Sequence, residues 1–215
     1  MENSLSHLNG NLLCGIDIET TGLDHELHDI YEIAIIPVTQ EFKRDQTRKW
    51  LNLVIQPPRP ENIQWDGMHR IKSAHRVKAA LESGLNTTTA MDILEHWFQL
   101  QNLGSKRIAP IGHSYAFESR FLRSWLGNIN YESKFADYEI RDTMSIARFM
   151  NDMCDFRGEL SFDYPKANLT YLASTLKIEH DYGHAHTALA DAATTIDVYR
   201  HQMIKLNKKM IFAAT

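Results

Sequence analysis

Cysteine is scarce in this chain of 215 residues: only Cys14 and Cys154 are present, without CxxC spacing. That excludes a disulfide framework and a cysteine-built structural zinc centre, and it implies a reducing, cytoplasmic compartment. Long apolar runs are missing too. Nowhere do about 18 apolar residues follow one another, and the polar opening stretch Met1–Asn11 has neither a basic n-region nor a long apolar h-region, so neither membrane spanning nor export is expected. Positive charge is not in excess: 23 Lys and Arg stand against 27 Asp and Glu, a formal net charge of -4. A broad basic face that grips long duplexes is excluded, and any contact with nucleic acid has to be short, local and assisted by metal ions. No repeat, low-complexity tract or long charge run marks a linker. What is there, 43% hydrophobic residues, suffices for one sizeable core, and residues 1–215 are expected to form a single domain with its core over about 12–203.

The most informative stretch is Gly15-Ile16-Asp17-Ile18-Glu19-Thr20-Thr21-Gly22-Leu23-Asp24. A strand over 12–18 would turn Ile16 and Ile18 to one face and carry Asp17 and Glu19 side by side on the other. Acids rarely sit inside an apolar strand, and two held this close raise each other's pKa unless a cation lies between them. A metal site is therefore the preferred reading over a merely polar strand end. Further strands are expected over 30–38, 50–55, 108–111 and 138–141, the one over 50–55 closed by Pro57, Pro58 and Pro60. The intervening Asp24, His25, Glu26, His28 and Asp29 are read as a solvated connection rather than a metal site.

Helices follow from apolar periodicity. Thr88 or Thr89 would cap a helix that runs through Leu100 and stops before Gly104, and Ser114 would cap one whose apolar face is Phe117, Phe121, Leu122 and Trp125. Glu118 then falls in the first turn, where the positive end of the helix dipole favours a carboxylate. Asp142 would cap a helix through Met150, with support of the site as its alternative role; 151–166 reads as loop, and a short helix covers 169–176. Residues 61–86 suggest one or two short helices ending at Gly84. In Tyr182-Gly183-His184-Ala185-His186-Thr187-Ala188-Leu189-Ala190-Asp191, five residues separate His186 from Asp191, a rotation of roughly 140° on a helix. His186 is therefore expected in the preceding loop, and Asp191 in the first turns of a helix running to about Asn207. Taken singly, Glu118, His186 and Asp191 have ordinary readings. The set His180, His184 and His186 lacks a fourth ligand for zinc, and Lys205, Lys208 and Lys209 read as a helix C-terminal feature, with phosphate contact as the alternative.

Taken jointly, these motifs resemble the DEDDh family of 3′→5′ exonucleases, which includes proofreading subunits and oligoribonucleases. Asp17-Ile18-Glu19-Thr20-Thr21-Gly22-Leu23 is similar to the family's DxETTGL, and His186-Thr187-Ala188-Leu189-Ala190-Asp191-Ala192 to its HxALxDA. The middle motif departs from the pattern: His113-Ser114-Tyr115-Ala116-Phe117-Glu118 stands where HNxxFD is usual, with Glu118 for the aspartate and Ser114 for the asparagine. The resemblance implies an α/β, RNase H-like fold with a central mixed five-stranded sheet flanked by helices. It implies two divalent ions, Mg2+ or Mn2+, held by Asp17, Glu19, Glu118 and Asp191, with His186 as general base. It also implies substrate contacts from Thr20, Thr21, Gly22 and Leu23, to which Ser114 and Tyr115 are added. Tyr115, Trp65 and Met68 are candidates for stacking on bases or for packing. The expected partner is the 3′ end of single-stranded DNA or RNA. A homodimer would fit the oligoribonuclease branch, towards which 75–85 leans, and docking to a polymerase or a catalytically silent binding role are the alternatives.

Overall fold

The computed structural model describes residues 5–66, 73–159, 163–178 and 186–213, without the side chains of residues 6 and 209–213. Met68, His180 and His184, and the side chain of Lys209, lie outside the described residues. Five strands form one sheet: β1 (Leu12–Thr20), β2 (Ile30–Pro37), β3 (Leu51–Val54), β4 (Ile108–Gly112) and β5 (Arg141–Asp142), in the order β3-β2-β1-β4-β5. β1, β2 and β3 are antiparallel neighbours, and β4 and β5 join parallel to β1. The sheet is thus mixed, as expected. Among the described residues seven helices flank it: α1 (Ala74–Ser83), α2 (Thr87–Leu100), α3 (Ala116–Leu126), α4 (Asn128–Lys134), α5 (Thr143–Phe156), α6 (Leu169–Thr175) and α7 (Ala188–Ala213).

Strand alternation divides the core. Leu12, Cys14, Ile16 and Ile18 of β1 face α2 and α3, where Leu94, Trp97, Phe121 and Leu122 are buried. Leu13 of the opposite face meets Ala188, Ala192, Ile196 and Tyr199 of α7. Asp17 and Glu19 share that second parity, so the strand presents both acids on the α7 side. Gly15 lets α7 cross there: a Cβ at this position would lie 2.5 Å from Ile196 Cγ1 and 3.1 Å from the Ala192 carbonyl. Among the described residues no helix is long and apolar enough to cross a membrane.

Several boundaries differ from expectation, among them the ends of β1, at Thr20, and of α7, at Ala213. Asn86, not Thr88 or Thr89, caps α2, because its extended backbone lets the side-chain oxygen accept from Thr89 N. Ser114 does not cap α3; it has φ +68°, and the Tyr115 N–H donates instead to Asp142 Oδ2 at 2.7 Å. α5 continues to Phe156 rather than yielding to loop after Met150, since Ala147, Met150 and Cys154 keep one buried stripe. Tyr138 lies in a 3-10 turn, leaving β5 only Arg141 and Asp142.

Candidate active site

The sheet brings Asp17 and Glu19 to one end of β1, and the first turn of α7 places Asp191 over them. One oxygen from each of these three carboxylates lies within 4.8 Å of the others. Glu118 enters from α3. Its helix is aimed by the β4–α3 connection, where Asp142 Oδ2 accepts from Tyr115 N and Asp142 Oδ1 accepts from Ser145 N at 2.8 Å. One carboxylate therefore caps α5 and fixes the start of α3, so the supporting role considered for Asp142 acts through the backbone. Glu118 is 5% exposed, and its Oε2 has no hydrogen-bond partner among the described residues. A buried carboxylate oxygen without a donor is costly unless a cation completes it.

The charges behave as that crowding requires. Burial drives the Asp17 carboxyl well above the ordinary aspartate range, reinforced by the charges of Asp191, Glu118, Glu19 and Glu32. Burial lifts Glu19 to about 8 against the opposing pull of Arg76, while Asp191 and Glu32 push it further up. Glu118 is raised to about 8, again chiefly by burial. A raised folded pKa means stability that is full below the unfolded value and lost as pH climbs through the folded one. The protein without divalent ions is therefore expected to melt at progressively lower temperature as pH rises from about 4.5 to 8. Added Mn2+ should restore the melting temperature most at the upper end of that window. Differential scanning calorimetry with and without chelator checks this, and a flat profile would contradict it.

His186 stands in a turn just before α7, at φ +67°. Its Nδ1 is 4.0 Å from Asp191 Oδ2, and its side chain is 52% exposed. The Asp191 N–H donates to the Thr187 carbonyl, which starts the helix that carries the acid. The expected division between a loop imidazole and a helix-bound acid matches this geometry.

The turn after β1 treats its residues differently. Thr21 is buried, its N–H donates to the Asp29 carbonyl, and its hydroxyl oxygen accepts from Asp29 N. It shapes the turn, with its N–H and hydroxyl both engaged by Asp29. The Thr20 hydroxyl donates to the Gly22 carbonyl at 2.7 Å. Gly22 packs under the His28 ring, which leaves Leu23, 77% exposed, as the projecting side chain. Arg59 clamps this loop by pairing with Asp29 at 2.7 Å and donating to the His28 carbonyl. The loop is thus anchored at Asp29, while Asp24 and Glu26 are exposed.

Tyr115 is also corrected. It is fully buried, with its hydroxyl 3.2 Å from that of Tyr131, so no face of the ring is open to a base. Trp65 is partly buried against Tyr31, Ile63, Val77 and Ala80. Ser114 is half-buried in the connection leading to Glu118.

Two neighbours of the acids escaped the sequence reading. Glu32 lies opposite Glu19 in the β1–β2 register, and its carboxylate accepts from Ala188 N at 3.1 Å. Arg76 of α1 reaches both, 3.8 Å from Glu19 and 3.8 Å from Glu32. Glu32 had a signal, an acid inside the apolar run of β2, whereas Arg76 sits in the least legible segment.

A family model described as RNase_T, exonuclease, matches residues 14–199. Among curated proteins none matches the chain by sequence. In fold it is similar to a moderately thermophilic exonuclease I from Methylocaldum szegediense, at 22% identity and TM-score 0.65, over 94% of this chain and 43% of that one. The E. coli exonuclease I–ssDNA complex in its zinc-bound form gives 18% identity and TM-score 0.65, over 94% and 42%. The nuclease domain of 3′hExo, a DEDDh family member bound to rAMP, gives 14% identity and TM-score 0.61, over 91% and 92%. The chain spans about two fifths of the length of those exonuclease I chains.

Proposed function

The chain belongs to the RNase_T exonuclease family, and from that premise we propose that it is a metal-dependent 3′→5′ exonuclease. It would act on single-stranded DNA or RNA and release nucleoside 5′-monophosphates. The observation that carries this reading is the convergence of Asp17, Glu19 and Asp191 within 4.8 Å. Hard carboxylate oxygens suit Mg2+ or Mn2+, and the buried Glu118 oxygen, unpartnered among the described residues, fits a cation-binding set. Glu118 is one methylene longer than the aspartate usual there, and it keeps the charge. We read the sheet and its helices as one catalytic domain, and the two buried cysteines as fitting a cytoplasmic setting.

Asp17, Glu19, Asp191 and Glu118 would hold two divalent ions. Such a pair, when bound, lowers the pKa of a water and offsets charge on the phosphate and the leaving oxygen. This chain's own proton chemistry falls to His186. With Nδ1 turned to Asp191, Nε2 is the nitrogen left to take the proton of the attacking water. The new bond joins the water oxygen to phosphorus, the bond to the 3′ oxygen breaks, and that oxygen is protonated as the shortened strand leaves. Leu23 would wedge against the terminal base. Burying a leucine contributes about 1.5–3 kcal/mol, so Leu23→Ala should raise KM about tenfold and leave kcat nearly unchanged. Steady-state kinetics on a short oligomer check it; a fall in kcat alone would contradict it.

The functional reading is tested on 5′-labelled DNA and RNA oligomers of matched sequence, single-stranded and duplex, with Mg2+ or Mn2+. A descending ladder from the 3′ end, blocked by a 3′ cap and by chelator, is expected. Binding without shortening would favour a catalytically silent binder.

A further inference from the structure

We propose that Arg76 and Glu32 form a positioning unit that sets the separation between the strand bearing Glu19 and the helix bearing Asp191; this rests on the acid cluster being the metal site proposed above. The three acids come from elements far apart in sequence, and packing alone does not fix them to the tolerance that a metal centre needs. Glu32 supplies one tie. It faces Glu19 across the β1–β2 ladder, and its Oε2 accepts from the N–H of Ala188, the first residue of α7. That bond pins the helix start, three residues before Asp191, to the central sheet. Such a bond, made by a charged acceptor to a helix N-terminal amide, is among the stronger kinds.

Arg76 supplies the second tie. Its side chain is 14% exposed, and its two terminal nitrogens divide between Glu32 Oε1 and Glu19 Oε2. A planar guanidinium can span two carboxylates where an ammonium cannot. At 3.8 Å neither contact is a direct hydrogen bond. Arg76 therefore offsets the charge of Glu19 without occupying the oxygen lone pairs that a cation would need. Tyr31 holds the same Glu19 Oε2 from another side, its hydroxyl donating at 3.3 Å. Among the described residues Arg76 Nη1 is buried with no hydrogen-bond partner, so what this nitrogen brings to the acids is charge and reach. The line Ala188–Glu32–Arg76–Glu19 thus connects the two sides of the acid cluster through side chains that are not its members.

The decisive variant is the charge-balanced pair Arg76→Met with Glu32→Gln, which removes one charge of each sign and so preserves the local net charge. Binding of Mn2+ to the folded protein is followed by electron paramagnetic resonance without substrate, and kcat and KM are measured separately. If the unit acts by positioning, the double variant raises the Mn2+ half-saturation at least fivefold and lowers kcat about tenfold, with KM within twofold. Outer partners of metal sites typically shift affinity or activity by about 10–100-fold when removed. Arg76→Lys, a milder change that keeps the charge, should raise the half-saturation at least threefold, because the ammonium reaches one carboxylate at a time. Wild-type Mn2+ half-saturation and kcat in either variant, with an unchanged circular dichroism spectrum, would overturn the proposal. Should the wild-type protein bind Mn2+ and the variants shift that binding while no strand is shortened, this inference stands and the exonuclease reading fails.

Discussion

Asp17→Asn is expected to lower the rate of strand shortening at least about a hundredfold, above the range seen when partners outside the ligand set are removed. Asp17 sits at the centre of the cluster: the charges of Asp191, Glu118 and Glu19 all act on it, and its backbone is paired with Ala34 of β2 just beyond the point where β4 leaves β1 at Gly15. Asparagine preserves the shape and one oxygen but not the charge that a divalent cation needs. The fold should tolerate the change. A carboxylate driven upward by burial is a cost to the ion-free protein, so the variant should melt no lower than wild type above neutral pH when chelator is present. Quantified ladders and a thermal melt on the same preparation separate the two effects. A variant that is inactive because it is unfolded would contradict the account.

His186→Ala should lower kcat by about 10²–10⁴, the usual contribution of a positioned general base, while Mn2+ half-saturation stays within twofold of wild type. The asymmetry follows from where the two residues sit. Asp191 is anchored in α7, which packs on β1 through the close approach at Gly15. His186 projects from a turn, with its side chain half in solvent. Removing the imidazole takes away a proton acceptor and leaves the acids untouched, and added imidazole should recover part of the rate. An unchanged kcat would remove His186 from the proton-transfer step.

Much of this site is legible in the sequence because its signals are local. Asp17 and Glu19 stand out in a strand run that is otherwise apolar, and the spacing of His186 and Asp191 keeps them off a shared helical face, which favours a loop position for one and a helix position for the other. Glu118 is readable from the apolar face that follows it. Boundaries are less legible where competing caps lie close together: Asn86 displaces Thr88 and Thr89 at α2, and a carboxylate from 27 residues downstream, Asp142, takes the place expected of Ser114. Tyr115 shows a different limit. An aromatic in a polar loop has the composition of a stacking residue, yet its burial depends on Tyr131 and Phe135, which arrive from another helix and its end. Thr21 is similar: its pairing with Asp29 follows from how the turn closes, and no local pattern encodes it. The partners Glu32 and Arg76 need the strand register and the docking of α1, both of which are long-range.

The most direct test of the central claim is hydrolysis of a single-stranded oligonucleotide in H₂¹⁸O with Mn2+, with the released product analysed by mass spectrometry. The account predicts nucleoside 5′-monophosphates released from the 3′ end, each carrying one ¹⁸O on its phosphate, and none from the Asp17→Asn variant. Release from the 5′ end, a product without ¹⁸O, or an undiminished yield from the variant would contradict it.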